Sequence, residues 1–162
     1  MLNPTILTLP DQIVLCATDR GTLNNDMSAA AQRAFGKLFA AGQALGMKPR
    51  MTGSVAIYPD EPKGPDDPEV RLIAGWLFSG EHPDIRSQPD LHFETIPAGR
   101  WAVFRHTGPY DTLWQTWRSI YGDWVPRARH VLRHTPPFER YLNDPALVPP
   151  EQLITDIYVP LD

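Results

Sequence analysis

The sequence predicts an α+β protein that arose by tandem duplication of a β-α-β-β module and has antiparallel sheets. Three observations predict it. They are a near-repeat within the chain, the same order of strand-length and helix-length apolar patterns in both halves, and a globular composition with 42% hydrophobic and 21% charged residues. We expect a single domain over residues 1–162, with modules at approximately residues 5–80 and 90–162.

The near-repeat relates residues 55–62 to residues 138–145 at a constant offset of 83. Both copies have a tyrosine and a proline at the same places, and between them Asp-Glu in the first copy aligns with Asn-Asp in the second. The two copies differ at one informative position, where Glu139 stands in place of Ala56. Upstream, two apolar runs that each follow a proline and precede a glycine match at an offset of 87. The difference of four residues is about one turn of helix, so we expect a longer helix in the first module.

The first module is expected to contain one helix between its first two strands. Residues 12–18 form a short apolar run of strand length. Apolar residues then recur every three or four positions over residues 27–45, which is typical of one helix face, and Gly46 is a suitable C-terminal stop. Residues 54–58 and 70–78 complete the module as two strands separated by a loop rich in proline and aspartate.

The second module repeats this order after a lead-in strand at residues 91–96. Residues 101–106 form the next strand, and Pro109 takes the first position of a helix, where its missing N–H group costs nothing. That helix carries an apolar stripe at helical spacing: Tyr110, Leu113, Trp114, Trp117, Ile120, Tyr121 and Trp124. Residues 137–142 and 153–161 complete the module as strands.

This order of elements also predicts where a ligand would bind. We expect the helices to cover one face of the antiparallel sheets. The other face, or the seam between the modules, is then left for a ligand.

The composition argues against several classes of function. A net charge of −4 and a pI near 5.7 disfavour direct binding of nucleic acid, which selects basic surfaces. Cys16 is the single cysteine, so no internal disulfide can form, and its apolar surroundings predict a small core residue. The first residues lack the features of a signal peptide, and no apolar stretch approaches the roughly 20 residues of a membrane span. We therefore expect a cytoplasmic protein without a membrane partner.

No metal or cofactor is predicted. His130 and His134 stand four positions apart, as metal ligands on a helix can, but no third ligand follows at a suitable spacing. The basic run around them, residues 127–134, is expected to be a solvated loop. The sequence also lacks a phosphate-binding glycine loop, a dinucleotide-binding motif and a nucleophile elbow.

Glu139 is the residue that most indicates a binding site. On a strand its side chain shares a face with Tyr141, and a carboxylate among aromatic rings needs a partner or acquires a raised pKa. Two interpretations stay open. In one, the face is exposed or an arginine such as Arg105 or Arg118 pairs with Glu139. In the other, a cationic or polarised ligand supplies the partner.

The aromatic residues are too numerous for all of them to contact a ligand. We assign Trp117 and Trp124, on the helix stripe, to the core. Trp76 and Trp101, on strands, are better pocket candidates, because rings beside a carboxylate bind flat cations through stacking and cation–π attraction. The full set of predicted ligand-binding residues is Glu139, Tyr141, Trp76, Trp101, Trp114 and Tyr110.

Three motifs in the second half resemble a known family. They are H-x-G-P-Y within residues 99–110, F-E-x-Y-L-N-D within residues 137–144, and T-D-I-Y-V-P-L at residues 155–161. In this order they resemble the GyrI-like small-molecule-binding superfamily. That group includes the DNA gyrase inhibitor proteins and the effector-binding domains of AraC-type and multidrug-responsive transcription regulators. The resemblance covers essentially the whole chain.

The resemblance implies two related β-α-β-β modules that form a ligand cleft at their pseudo-two-fold seam. That cleft takes hydrophobic, aromatic and often cationic compounds. It also implies that the glutamate of the F-E-x-Y strand, which matches Glu139, reaches into that cleft. Regulators of this family carry a helix-turn-helix domain. We expect this chain to be of the stand-alone type, because its two modules leave no room for one.

Three functions follow from these expectations. The leading one is cytoplasmic binding of such a small molecule in toxin or drug response, with Glu139 compensating its charge and Trp76, Trp101 and Tyr141 enclosing its flat part. The first alternative is a hydrolase of cyclopropane-bearing genotoxic compounds that uses Glu139 as general acid or base. The second is a protein-interaction role as a DNA gyrase inhibitor. The expected partners are therefore a small molecule and, under the second alternative, DNA gyrase or a regulator protein.

Overall fold

The computed structural model describes residues 2–162 as an α+β protein. Its strands are β1 (Thr5–Leu9), β2 (Gln12–Arg20), β3 (Met51–Ile57), β4 (Arg71–Phe78), β5 (His92–Ile96), β6 (Gly99–Thr107), β7 (Phe138–Tyr141) and β8 (Ile154–Leu161). Its α-helices are α1 (Ser28–Ala44), α2 (Leu113–Ser119) and α3 (Val125–Ala128). Each described strand pairing is antiparallel, so the predicted α+β class is confirmed. Over this range no helix is long and apolar enough to cross a membrane.

The chain folds as two compact units that interleave in sequence. The first unit is Asp11–Pro97, and the second joins the segment up to Pro10 with Ala98–Asp162. These bounds differ from the predicted modules at residues 5–80 and 90–162. The difference arises because β1, which the sequence did not predict, pairs with β6, whereas β5 pairs with β2. Such long-range pairing leaves no trace in local periodicity.

The first unit packs α1 on one face of a sheet with the strand order β3-β4-β2-β5. Ala30, Ala34 and Leu38 are fully buried at helical spacing, as the apolar stripe predicted. The helix is followed by Gly46 at φ +69°, a left-handed conformation that favours glycine. The predicted helix stop is therefore confirmed.

The second unit has the strand order β1-β6-β8-β7 and a helical segment that changes type along its length. A 3-10 turn at Tyr110–Thr112 leads into α2, and a π-helical turn at Ile120–Trp124 leads into α3. The sequence predicted one continuous helix here. Pro126 accounts for the change of register, because it has no N–H group to donate to the carbonyl of Gly122.

The strand register places Ala56 and Glu139 at equivalent positions in their units. Ala56 lies opposite Ala74, and Glu139 lies opposite Ile157. Glu139 and Ile157 each stand 83 positions after their counterparts, which is the offset of the sequence repeat. The duplication itself stays a prediction, and this matching register supports it.

Candidate functional site

Glu139 is a buried acid on the helix-covered face of the second unit. It is 1% exposed on β7 and lies directly opposite Ile157. Paired residues of neighbouring strands direct their side chains to the same face. Ile157 belongs to the core cluster that also contains Leu113 of α2, so Glu139 faces this helix. The sequence offered the uncovered face of the sheets or the seam between the modules as the place for a ligand. Glu139 lies on the helix-covered face, and a cleft at the seam stays a prediction.

Two aromatic side chains donate hydrogen bonds to the Glu139 carboxylate. Trp117 Nε1 donates to Oε2 at 2.8 Å, and the Tyr141 hydroxyl donates to Oε1 at 2.9 Å. Each oxygen therefore receives at least one donor, and both bonds are stronger when the carboxylate is charged. This arrangement stabilises a negative charge in a setting made of aromatic rings.

Arg105, which the sequence offered as a structural partner of Glu139, pairs with Asp156 instead. Its Nε and Nη2 donate to the two oxygens of Asp156 at 3.0 and 3.1 Å. Those hydrogen bonds raise the pKa of Arg105. The bidentate geometry occupies the guanidinium with another acid.

Two further aromatic residues continue the site toward solvent. The ring of Tyr110 lies edge-on to Tyr141 with centroids 5.3 Å apart. Tyr110 is 37% exposed and Trp114 is 56% exposed. Burial raises the pKa of Tyr110, and the negative charges of Asp144 and Glu139 add to that shift. Tyr110 and Tyr141 thus form one aromatic group with Glu139, and Trp114 stands on the exposed side of the same helical segment.

Trp117 is the site residue that the sequence assigned to the core alone. It does pack against the core cluster, and its ring also stacks on Tyr121 with centroids 6.0 Å apart. Its Nε1–H group binds Glu139 in addition. A usable signal was present, because a half-buried indole needs a hydrogen-bond acceptor and Glu139 is the acid in the neighbouring apolar strand. Trp124 packs edge-on against Phe104 at 4.9 Å, as expected of a core residue.

Trp101 lies on the opposite face of the sheet from Glu139. Its ring packs edge-on against Phe138 at 5.0 Å and against Tyr158 at 6.4 Å. Phe138 and Glu139 are consecutive on β7, so their side chains point to opposite faces. The Arg133 guanidinium covers the Trp101 ring at 5.0 Å. The second unit therefore does not bring Trp101 and Glu139 together on one face.

Trp76 lies in the first unit, where it packs against α1. It is 5% exposed, and its ring meets Phe39 edge-on at 6.3 Å. Gly42 lies against the same ring, since a Cβ atom at that position would stand 2.4 Å from it. These contacts give Trp76 a packing role, and its contact with a ligand stays a prediction.

His106, near the end of β6, hydrogen-bonds to the start of the helical segment. Its Nδ1 lies 2.7 Å from the Thr116 hydroxyl, and its Nε2 lies 3.1 Å from the Thr112 hydroxyl. Thr116 directly precedes Trp117 in α2. The histidine of the H-x-G-P-Y motif therefore fixes the part of the helix that supplies a donor to Glu139.

The two histidines considered as metal ligands do not belong to a metal site in the described part of the chain. His130 stacks on Trp124 with centroids 5.7 Å apart. Among residues 2–162, no group of three potential ligands is placed to hold a metal ion.

The buried thiol of Cys16 has a pKa raised by burial and is a core group of β2.

The comparisons with known proteins identify the family. The profile of the GyrI-like small molecule binding domain matches residues 2–162, and the chain therefore belongs to that family. A stretch of 66 residues is 36% identical to the probable transcriptional regulator YgiV of Escherichia coli (strain K12). That match covers 41% of this chain and 41% of YgiV, which is less than half of the relative's length.

Solved structures show the same fold. The C-terminal domain of EcmrR superimposes with a TM-score of 0.71 at 19% identity, covering 100% of this chain and 98% of that domain. SAV2435 bound to tetraphenylphosphonium superimposes with a TM-score of 0.69 at 11% identity, covering 99% of this chain and 94% of that protein. At these identities the likeness is one of fold.

Proposed function

We propose that the second unit binds hydrophobic, aromatic organic cations, with Glu139 as the counter-charge, and acts as an effector-binding domain in toxin or drug response. One observation carries the proposal. A carboxylate that is 1% exposed is held by the side-chain donors of Trp117 and Tyr141 within a group of aromatic rings. Such a site offers a cation both a negative charge and ring faces.

The fold itself does not require an acid at this position. Ala56 occupies the equivalent place in the register of the first unit and is also fully buried. Burying a carboxylate instead of an apolar side chain carries a desolvation cost on the order of several kcal/mol. The two hydrogen bonds offset that cost in part. A binding role explains why the second unit carries the acid.

Access to the carboxylate requires side chains to move. Because Glu139 is 1% exposed and both its oxygens already accept hydrogen bonds, a cation reaches them only after Trp117 or Tyr141 turns aside. Trp114 and Tyr110, which are more exposed, supply ring surface for the first contact. Tetraphenylphosphonium, the ligand in the SAV2435 structure, is a cation of the proposed class.

The direct test is isothermal titration with tetraphenylphosphonium and with rhodamine 6G. We expect Glu139→Gln to weaken binding of both cations about ten-fold or more, because the amide keeps the shape and loses the charge. Glu151→Gln is the matched control, since it removes the same charge from an exposed position of the second unit. The Glu151→Gln variant should bind both cations with an affinity within about two-fold of that of the original protein. Equal affinities for the two variants would contradict the role of Glu139.

Two alternative activities stay predictions from the sequence. A hydrolase would convert a cyclopropane-bearing toxin in many turnovers, which mass spectrometry of the product would show. One observation favours this alternative: the Tyr141 hydroxyl donates to Glu139, which is the contact that proton transfer between the two groups requires. A gyrase inhibitor would slow DNA supercoiling when added in molar excess to the gyrase.

A further inference from the structure

We infer that Thr155 is a second polar anchor of the Glu139 site and that it selects aromatic cations carrying an N–H group over fully substituted cations. This inference rests on the proposed function. The fold leaves the buried hydroxyl of Thr155 without a hydrogen-bond partner among the described residues.

Thr155 shares the helix-facing side of the sheet with Glu139. On β8 it lies opposite Tyr141 of β7 and opposite His106 of β6. Ile157, two positions further along β8, lies opposite Glu139. Paired residues and residues two apart on a strand share a face. Thr155 and Glu139 are therefore diagonal neighbours, roughly 7–8 Å apart at the backbone.

The Thr155 hydroxyl has no hydrogen-bond partner within the described part of the chain. The residue is 0% exposed, and its Oγ1 is among the few buried polar atoms left unsatisfied over residues 2–162. A buried hydroxyl without a partner is unfavourable compared with a methyl group of the same shape. Valine would therefore serve the fold better at this position, and the hydroxyl calls for another explanation.

Tyr141 connects this hydroxyl to the binding site. It is the cross-strand neighbour of Thr155, and its own hydroxyl donates to Glu139. Displacement of the Tyr141 ring by a ligand would uncover the carboxylate and the Thr155 hydroxyl together. A ligand in that place would meet a negative charge and, beside it, a hydrogen-bond acceptor.

The two groups make different demands on a ligand. Glu139 attracts any cation, including one such as tetraphenylphosphonium whose charge carries no hydrogen. The Thr155 hydroxyl can accept or donate, so it gains a partner only from a ligand that carries a hydrogen-bonding group, which on a nitrogen cation is an N–H donor. A cation with an N–H group satisfies both, whereas a fully substituted cation buries the hydroxyl unsatisfied. We expect a preference of about ten-fold for the N–H cation, as one hydrogen bond to a charged donor provides.

A matched pair of acridine cations tests this preference. Protonated 9-aminoacridine has N–H donors, and 10-methylacridinium has the same ring system without them. Titration should show tighter binding of 9-aminoacridine to the original protein. Thr155→Val should abolish the preference and leave the affinity for 10-methylacridinium within about two-fold. Thr155→Ser, which keeps the hydroxyl, should retain the preference.

The outcomes separate this inference from the function on which it rests. If tetraphenylphosphonium and both acridines bind but Thr155→Val leaves their ratio unchanged, the role of Thr155 is wrong and the proposed function stands. If none of the cations binds, both are wrong. A thermal melt without ligand adds a second measurement, in which Thr155→Val should melt at the same temperature or a few degrees higher. A clearly lower melting temperature would show that the hydroxyl serves the fold.

Discussion

At the scale of single residues, the site is a balance between one buried charge and the groups that stabilise it. Glu139 accepts from Trp117 Nε1 through Oε2 and from the Tyr141 hydroxyl through Oε1. Removing one donor leaves the buried Glu139 carboxylate with fewer hydrogen bonds. The free energy of unfolding then falls by more than the lost bond itself contributed. Stability and ligand binding therefore oppose each other, because Trp117 and Tyr141 stabilise the Glu139 carboxylate and also occupy the oxygens that a cation would contact.

Tyr141→Phe tests this balance, because it removes only the hydroxyl. We expect the free energy of unfolding to fall by about 1–3 kcal/mol, since a hydrogen bond to a charged group is lost. The same substitution in a Glu139→Leu background should cost less than about 0.5 kcal/mol, because no acid remains to be satisfied. Urea denaturation of the original protein, the two single variants and the double variant gives the coupling energy between Tyr141 and Glu139.

Tyr110→Phe is the control for that cycle. Tyr110 belongs to the same aromatic group and is 37% exposed, so its hydroxyl can turn to water. Its coupling to Glu139→Leu should be small. A Tyr141 coupling near zero would mean that the hydrogen bond to Glu139 contributes nothing to stability.

At the scale of elements, each helix packs on a sheet through contacts that are specific to single positions. In the first unit, Gly42 of α1 lets the ring of Trp76 lie against the helix backbone. In the second, His106 ties α2 to β6 and so positions the donor of Trp117. Glycine in a helix is normally unfavourable, so its presence at a close approach has a packing reason.

Two alanine substitutions in α1 should have opposite effects. Gly42→Ala would place a Cβ atom 2.4 Å from the buried Trp76 ring, and we expect it to destabilise the protein by about 1–3 kcal/mol. Gly36→Ala in the same helix meets nothing within 4 Å, and we expect it to stabilise the protein by about 0.5–1 kcal/mol through helix propensity. Chemical denaturation of both variants measures the difference. Equal effects at the two positions would refute the packing role of Trp76.

The sequence predicted most elements because their apolar patterns are local. The stripe of α1 and its glycine stop are visible in the order of residues alone, and the structure bears out both. The strand β1 (Thr5–Leu9) escaped prediction, since all its residues are exposed or half-buried and the strand is specified by its pairing with β6. The π-helical turn escaped because periodicity does not reveal a change of hydrogen-bond register.

The site was predictable in part. Glu139 stood out as an acid in an apolar strand, and Tyr141 shares its face by the period of two. Trp117 was assigned to the core alone, whereas a stripe position can face a core and a polar group at once. Trp101 was placed with Glu139 by residue type, whereas strand register puts it on the other face. Register depends on partners distant in sequence, which one chain does not display.

At the scale of the whole molecule, one family domain spans the chain, and its two compact units share a strand order. They differ at the buried position that carries the acid. The first unit has Ala56 there, and the second has Glu139. Because the first unit has alanine at this position, the fold does not need an acid there, and the acid of the second unit can serve binding. The central claim is that this acid is the counter-charge of a bound aromatic cation.

A crystal structure of the protein with tetraphenylphosphonium would show whether Glu139 is that counter-charge. We expect the cation to contact the Glu139 carboxylate, with at least one of the hydrogen bonds from Trp117 and Tyr141 broken. A cation bound elsewhere, with Glu139 still buried and both hydrogen bonds intact, would rule out this role of Glu139.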